Sequence, residues 1–340
     1  MHLRYNLISG CGQNDSIGSD TVGSITGPRS HHYEFYVTEN GETGFYIMKS
    51  IIVTGANKGV GLAIVRAILN EREDAFVFLG SRDAGRGEAA VKTLCEENPS
   101  FGGRLRLLCV DVGSDDSVAA AVATVAAQLD GGSLYGLVNN AGVGFTDGGL
   151  SAALNVNTLG AKRMCEAFLP LMEASHGRVV NVTSASGPSY VATCSETQRR
   201  RFIDPDVSWA DIESLMQDCL DLEGDSATYE KAGLGDGNPY GISKACANAL
   251  TLLLARENPE VNINACTPGF IETDMTRPFA ESSGQSPADM GMKPPVEGTR
   301  SAMFLLFGEV EGSGRYYGSD AVRSPLDAYR APGSPAYNGD

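Results

Sequence analysis

The stretch Thr54-Gly55-Ala56-Asn57-Lys58-Gly59-Val60-Gly61 constrains this chain most, because of what stands on either side of it. Before it runs SIIVT, short and apolar with β-branched residues; after it runs LAIVRAIL, apolar at helical spacing. Glycines at 55, 59 and 61 let the backbone turn tightly from strand into helix and approach a pyrophosphate. The free amides at a helix N-terminus then bind that negative charge. A glycine triplet alone is a weak signal. Set between a strand and a helix, it predicts a mononucleotide or dinucleotide site.

The same alternation continues down the chain. Strands are predicted at 50–54, 75–80, 105–110, 134–139, 178–183 and 261–266, with a short edge strand at 314–318. Helices are predicted near 60–71, 85–97, 115–129, 151–173, 240–257 and 295–307. Most strand segments are continuous apolar runs, as parallel strands covered on both faces require. Strand–helix alternation with right-handed crossovers then gives an α/β fold, a Rossmann-type doubly wound parallel sheet in a single domain. That domain spans 48–320. Residues 1–47, polar and rich in glycine and serine, are expected to be a disordered extension, and 321–340 a C-terminal tail. Residues 187–238 break the rhythm: a long helical insertion in which Ile212, Leu215, Met216 and Leu220 fall on one helix face.

Composition closes off other chemistries. With 340 residues and a formal charge of −16, the chain lacks the basic surface that nucleic acid demands. Its four histidines leave only His176 outside the extension, in a turn where a surface position is expected. A Ser-His-Asp hydrolase or a multi-histidine metal site is therefore disfavoured, and no metal is expected. Eight scattered cysteines, without C-x-x-C, read as buried reduced thiols; Cys109 and Cys266 sit inside apolar runs. No apolar run is long enough to span a bilayer. Residues 1–47 fit neither a secretory signal nor a transit peptide. A cytoplasmic location is expected, with organellar targeting by the extension left open.

Two further signals specify the chemistry. At the tip of the second strand an NAD site would carry an acidic residue to hold the ribose. Here Ser81 and Arg82 come first, then Asp83. Arg82, with Lys58 from the glycine loop, is suited to a 2′-phosphate, which favours NADPH over NADH. Tyr240 and Lys244 lie four apart on a predicted helix and share a face. An ammonium near the phenol would stabilise the phenolate and make the tyrosine a usable acid.

These residues are accompanied by Asn139-Asn140-Ala141-Gly142 after a strand, Asn157 in NVNTLG, and Ser184 closing NVTS. With them the chain resembles the short-chain dehydrogenase/reductase family over roughly residues 50–318. The resemblance implies Tyr240 as proton donor, Lys244 as its pKa-lowering and ribose-binding partner, and Ser184 as hydrogen-bond donor to the substrate carbonyl. It implies that Asn157 holds a water in a proton relay. Cofactor contacts would come from Gly55, Asn57, Lys58, Gly59, Val60 and Gly61, from Arg82, and from Asp111 and Val112 beside the adenine. Asn139, Ala141 and Gly142 would line the cofactor, and Pro268, Gly269 and Thr273 would flank the nicotinamide.

The N-K-G and S-R-D patterns are most similar to those of the monomeric carbonyl reductases, which also carry an insertion before the tyrosine. The implied activity is NADPH-dependent reduction of ketones or aldehydes by a monomer. The insertion, with 143–150 and 270–290, is expected to wall the substrate cleft. Between Asn139 and Asn157 the chain is shorter than the family pattern, so a connecting helix is expected to be trimmed. Two other readings stand beside this one. A light-dependent protochlorophyllide reductase is opposed by the N-N-A-G run, and a non-catalytic NADP(H) sensor or scaffold would not need Asn157, Ser184, Tyr240 and Lys244 together.

Overall fold

A computed structural model describes residues 23–26, 32–37, 43–144, 148–222 and 226–339. Three short strands come first: β1 (Gly23–Thr26), β2 (His32–Val37) and β3 (Thr43–Ile47), paired as an antiparallel meander. This differs from the disordered extension expected of 1–47. Runs such as HYEFYV and TGFYI are rich in aromatic and β-branched residues, which suit pleated pairing. The rest of that extension lies outside the described residues.

The remaining strands form one eight-stranded sheet. They are β4 (Lys49–Val53), β5 (Ala75–Ser81), β6 (Leu105–Cys109), β7 (Leu134–Asn139), β8 (Arg178–Val182), β9 (Asn262–Cys266), β10 (Tyr316–Tyr317) and β11 (Arg323–Ser324). Their spatial order is β11-β10-β9-β8-β7-β4-β5-β6, parallel throughout except for the terminal β10–β11 pair. The chain winds outward from β4 to β6, then returns to lay β7 on the other side of β4. That reversal opens a crevice beyond the C-terminal ends of β4 and β7, where doubly wound sheets bind ligands.

Helices α1 (Gly59–Glu71), α2 (Ala84–Glu97) and α3 (Asp115–Leu129) make the first crossovers. Asp83 and Ser114 cap α2 and α3 through backbone N–H groups of Arg86 and Ser117. The segment predicted as one helix over 151–173 divides into α4 (Gly149–Leu154), a π-helical turn at Asn155–Leu159 and α5 (Gly160–Phe168). Two apolar clusters form the core, one on each face of the sheet. Cys109, expected buried, is exposed because β6 is the edge strand. His176 is exposed, as its turn position suggested.

The insertion is ordered around α6 (Ser186–Thr193), α7 (Glu196–Ile203), α8 (Trp209–Asp221) and α9 (Ser226–Lys231), and leads into α10 (Pro239–Glu257). Ser208 and Asp211 close a reciprocal capping box on α8. Ile212, Leu215 and Met216 are buried, Leu220 partly so. Each fully buried aliphatic contributes about 1.5–3 kcal/mol. α8 packs on α10, which is buried on nearly every face from Tyr240 to Ala255. α11 (Arg277–Ser283) and α12 (Arg300–Phe307) complete the chain's helices.

Candidate active site

The glycine loop is built by steric necessity at two positions. Gly55 adopts φ +61°, and a Cβ there would lie 2.7 Å from Ala141 Cα. A Cβ at Gly61 would collide with Asn140 Nδ2 and lie 2.6 Å from Gly55 O. The loop is tied to the β7 end by Thr54, whose Oγ1 accepts from the N–H groups of Asn140 and Ala141, both at 3.0 Å. Asn140 Nδ2 donates to Thr54 O (2.9 Å) and Gly55 O (3.2 Å). Sequence reasoning passed over Thr54 and Asn140, although both stood inside quoted motifs. Their roles depend on two strands remote in sequence lying side by side.

The residues present fit a dinucleotide. α1 begins at Gly59 with no side-chain cap on its N-terminal N–H groups, leaving them directed at the crevice. Arg82 is exposed and has no ion pair among the described residues. Lys58, expected to meet a 2′-phosphate alongside Arg82, has a carboxylate partner here. Its ammonium meets Asp274 Oδ2 at 2.8 Å, bridging the glycine loop to the loop after β9. Thr273, on that loop, approaches Gly59 from the same side. Gly269 turns the chain there at φ +93°. Asp111 accepts from Gly113 N, which fixes the turn after β6, and Val112 is buried beside it.

The Asn139 side chain, at the end of β7, turns into the sheet. It is buried in the sheet, where Nδ2 donates to Asn181 Oδ1 at 2.9 Å and to Cys165 Sγ. Its Oδ1 has no protein partner, and the residue borders a small cavity of about 10 Å3 shared with Thr54, Asn157 and Asn181. That space suits one buried water.

Asn157 sits in the π-helical turn. Its Oδ1 accepts from Val143 N (2.9 Å), and its Nδ2 donates to Val143 O (3.1 Å) and Ser243 Oγ (2.9 Å). Ser243 Oγ donates in turn to Tyr240 O. Asn157 is thereby a brace that fixes α10 against the end of β7. Gly142 lies close enough that a Cβ would stand 3.2 Å from Asn157 Oδ1 and 3.6 Å from Lys244 Nζ.

Tyr240, Lys244 and Ser184 come together at the end of β8. Lys244 Nζ donates to Val182 O at 3.1 Å and lies 5.7 Å from the centre of the Tyr240 ring. Burial pulls the Lys244 ammonium down to about 8, while the nearby Cys266 thiol works in the opposite direction. Burial likewise pushes Cys266 up to about 12. The Tyr240 phenol is raised above its ordinary value by burial, opposed by a hydrogen bond with the Ser184 hydroxyl. With its value raised, the phenol keeps its proton at neutral pH.

Beside Ser184 opens a cleft of about 670 Å3. Its wall differs from the expected one. Among the described residues of the insertion only Pro188 contributes, while α7 and α8 pack against α10. Residues 267–271 and 291–300 form one side and the C-terminal tail the other. The tail, expected to lie outside the domain, adds β11 to the sheet.

Comparison with known proteins agrees with this architecture. A family model described as short chain dehydrogenase matches residues 49–195. The NADPH carbonyl reductase 3 of Rattus norvegicus is 33% identical over 261 residues, covering 72% of this chain and 91% of that protein. The (+)-neomenthol dehydrogenase of Arabidopsis thaliana is 32% identical over 285 residues, covering 75% and 94%. Among solved structures, salutaridine reductase from Papaver somniferum superposes with a TM-score of 0.66 at 25% identity, covering 79% of this chain and 99% of that one. The NADPH-bound carbonyl reductase from chicken fatty liver, at 24% identity and a TM-score of 0.57 over 81% and 97%, shares the fold.

Proposed function

This chain belongs to the short-chain dehydrogenase/reductase family of oxidoreductases, and from that premise we propose that it reduces ketones or aldehydes to alcohols with NADPH. The observation that carries this reading is the convergence of Ser184, Tyr240 and Lys244 at the mouth of the crevice that the glycine loop opens. The relatives named for NADPH carbonyl reduction support the choice of cofactor and reaction. Arg82, free of ion pairs among the described residues, supports a 2′-phosphate partner.

NADPH supplies the hydride when bound; the protein supplies position and charge. The α1 N-terminus, Gly55–Gly61 and Arg82 hold the phosphates. Val112 would pack beside the adenine, Ala141 and Gly142 would line the ribose side, and Pro268, Gly269 and Thr273 would border the nicotinamide. The Ser184 hydroxyl and the Tyr240 phenol donate to the carbonyl oxygen as it gains charge. A phenol whose proton is retained by burial suits that task, since it releases the proton only to an oxygen becoming strongly basic. The Lys244 ammonium, with a water at Asn157, returns the proton to Tyr240. We further infer a monomer, because the insertion covers α10 on the side away from the sheet.

The test follows absorbance loss of NADPH and of NADH over a panel of carbonyl compounds, for the wild type and Tyr240→Phe. Turnover with NADPH should fall on the order of 10²–10⁴-fold in the variant, the range a general acid contributes. NADPH affinity, read by fluorescence, should hold. A variant as fast as the wild type removes Tyr240 from the mechanism. Wild-type protein that binds NADPH yet oxidises it with no carbonyl favours the sensor reading.

A further inference from the structure

Among the described residues four large hydrophobic side chains are exposed: Phe270 (41%), Val296 (67%), Tyr329 (58%) and Tyr337 (37%). Three of them, all but Tyr337, line the single cleft beside Ser184. Scattered exposed apolar residues need no explanation, but their collection around one concavity, beside the charged Lys293, Glu297 and Arg300, suits a ligand with an apolar body and a polar group. Phe270 and Val296 come from the loops after β9. Tyr329 comes from the tail, across the opening.

The tail is not loosely laid there. Arg330 Nη2 and Nη1 meet the two carboxylate oxygens of Asp320 at 2.6 and 3.0 Å, with side-chain exposures of 6% for Arg330 and 13% for Asp320. The same guanidinium donates to Ser334 O (3.0 Å) and Pro335 O (3.1 Å), while Gly333 N donates to Asp320 Oδ2 (2.8 Å). A bidentate, desolvated fork of this kind fixes orientation as well as distance. It pins the turn immediately after Tyr329, which sets that residue's backbone at the edge of the cleft.

We propose that Tyr329 is a specificity-determining residue that packs, opposite Phe270, on the apolar body of the carbonyl substrate, and that the Arg330–Asp320 clip positions it. This rests on the reductase reading above. It assigns a function to a segment whose sequence carries no motif. The clip acts through Tyr329 and touches neither substrate nor cofactor.

The experiment compares a compact substrate, propanal, with a bulky ring ketone, 1-tetralone, in the wild type, Tyr329→Ala, Arg330→Ala and Arg330→Lys. In Tyr329→Ala the ratio of kcat/KM for tetralone over that for propanal should fall about tenfold, the scale of one lost aromatic contact. The loss should reside in KM for tetralone, with kcat and the KM for NADPH little moved. Arg330→Ala should shift the ratio the same way, and Arg330→Lys should recover only part of it, because an ammonium cannot form the fork. Tyr329 is largely exposed, so its variant stays informative even where Arg330→Ala fails to fold. A ratio unchanged in Tyr329→Ala, or a loss confined to kcat, overturns the proposal while leaving the reductase reading intact. Wild-type protein inactive on both carbonyls overturns the two together.

Discussion

The crevice has two sides made by different means. On the nucleotide side, around β4, β5 and β7, the working groups are mostly main chain: glycines that permit close approach and the uncapped amides of α1. On the proposed carbonyl side, around β8 to β11, the groups assigned are side chains carried by distant segments: Ser184 after β8, Tyr240 and Lys244 on α10, Phe270 after β9 and Tyr329 in the tail. The first side is encoded by short contiguous patterns. The second is encoded by packing. Substitutions should therefore separate them, with nucleotide-side changes acting on cofactor binding and carbonyl-side changes on turnover or substrate choice.

The sharpest test of that division is Gly61→Ala. Its added Cβ meets the Asn140 amide and Gly55 O, so the loop or the start of α1 must shift. Overpacking of this sort costs typically about 1–3 kcal/mol. NADPH affinity, measured by titration calorimetry, should drop at least tenfold, roughly the equivalent of 1.4 kcal/mol. Unaltered binding would mean that the loop has more slack than its contacts allow.

Arg82→Ala comes next in size. Loss of a charge-assisted contact to a 2′-phosphate should raise KM for NADPH on the order of 10-fold while barely touching NADH. Lys58→Ala should do less, because Asp274 already engages that ammonium. Equal losses with both cofactors would show that Arg82 reads no phosphate.

The smallest effect tests the carbonyl side through pH. Lys244 is held near 8 by burial, below its ordinary 10.5. Activity that needs the ammonium should decline as pH rises through about 8. Stability moves oppositely. Between about 8 and 10.5 the unfolded chain binds the proton that the folded one has released, so the contribution of Lys244 to folding improves as pH rises across that window. Lys244→Met should flatten the stability profile over that range while lowering kcat. A wild-type melting profile identical to that of the variant from pH 7 to 10.5 would show that Lys244 is not desolvated.

Much of this was legible along the chain. The strands of the parallel sheet could be placed from apolar runs, because a strand covered on both faces has to be apolar throughout. The helix in the insertion was visible in Ile212, Leu215 and Met216, since periodicity reports a buried face directly. What periodicity does not report is which element supplies the other half of the contact. So α8 could be recognised as a helix, yet α7 and α9, and the packing of α7 and α8 against α10, could not.

The sequence by itself determined the winding of the sheet, the glycine-loop crevice and the spacing of Tyr240 and Lys244 on one helix face, because each depends on residues within a few turns of one another. Only the tertiary structure decided which neighbouring asparagine holds the glycine loop, Asn140 and not Asn139. It also paired Lys58 with Asp274, and it folded the tail back so that Arg330 meets Asp320 beside Ser184. Those choices turn on where remote side chains point once burial has fixed the backbone. No local pattern of residue types carries that information.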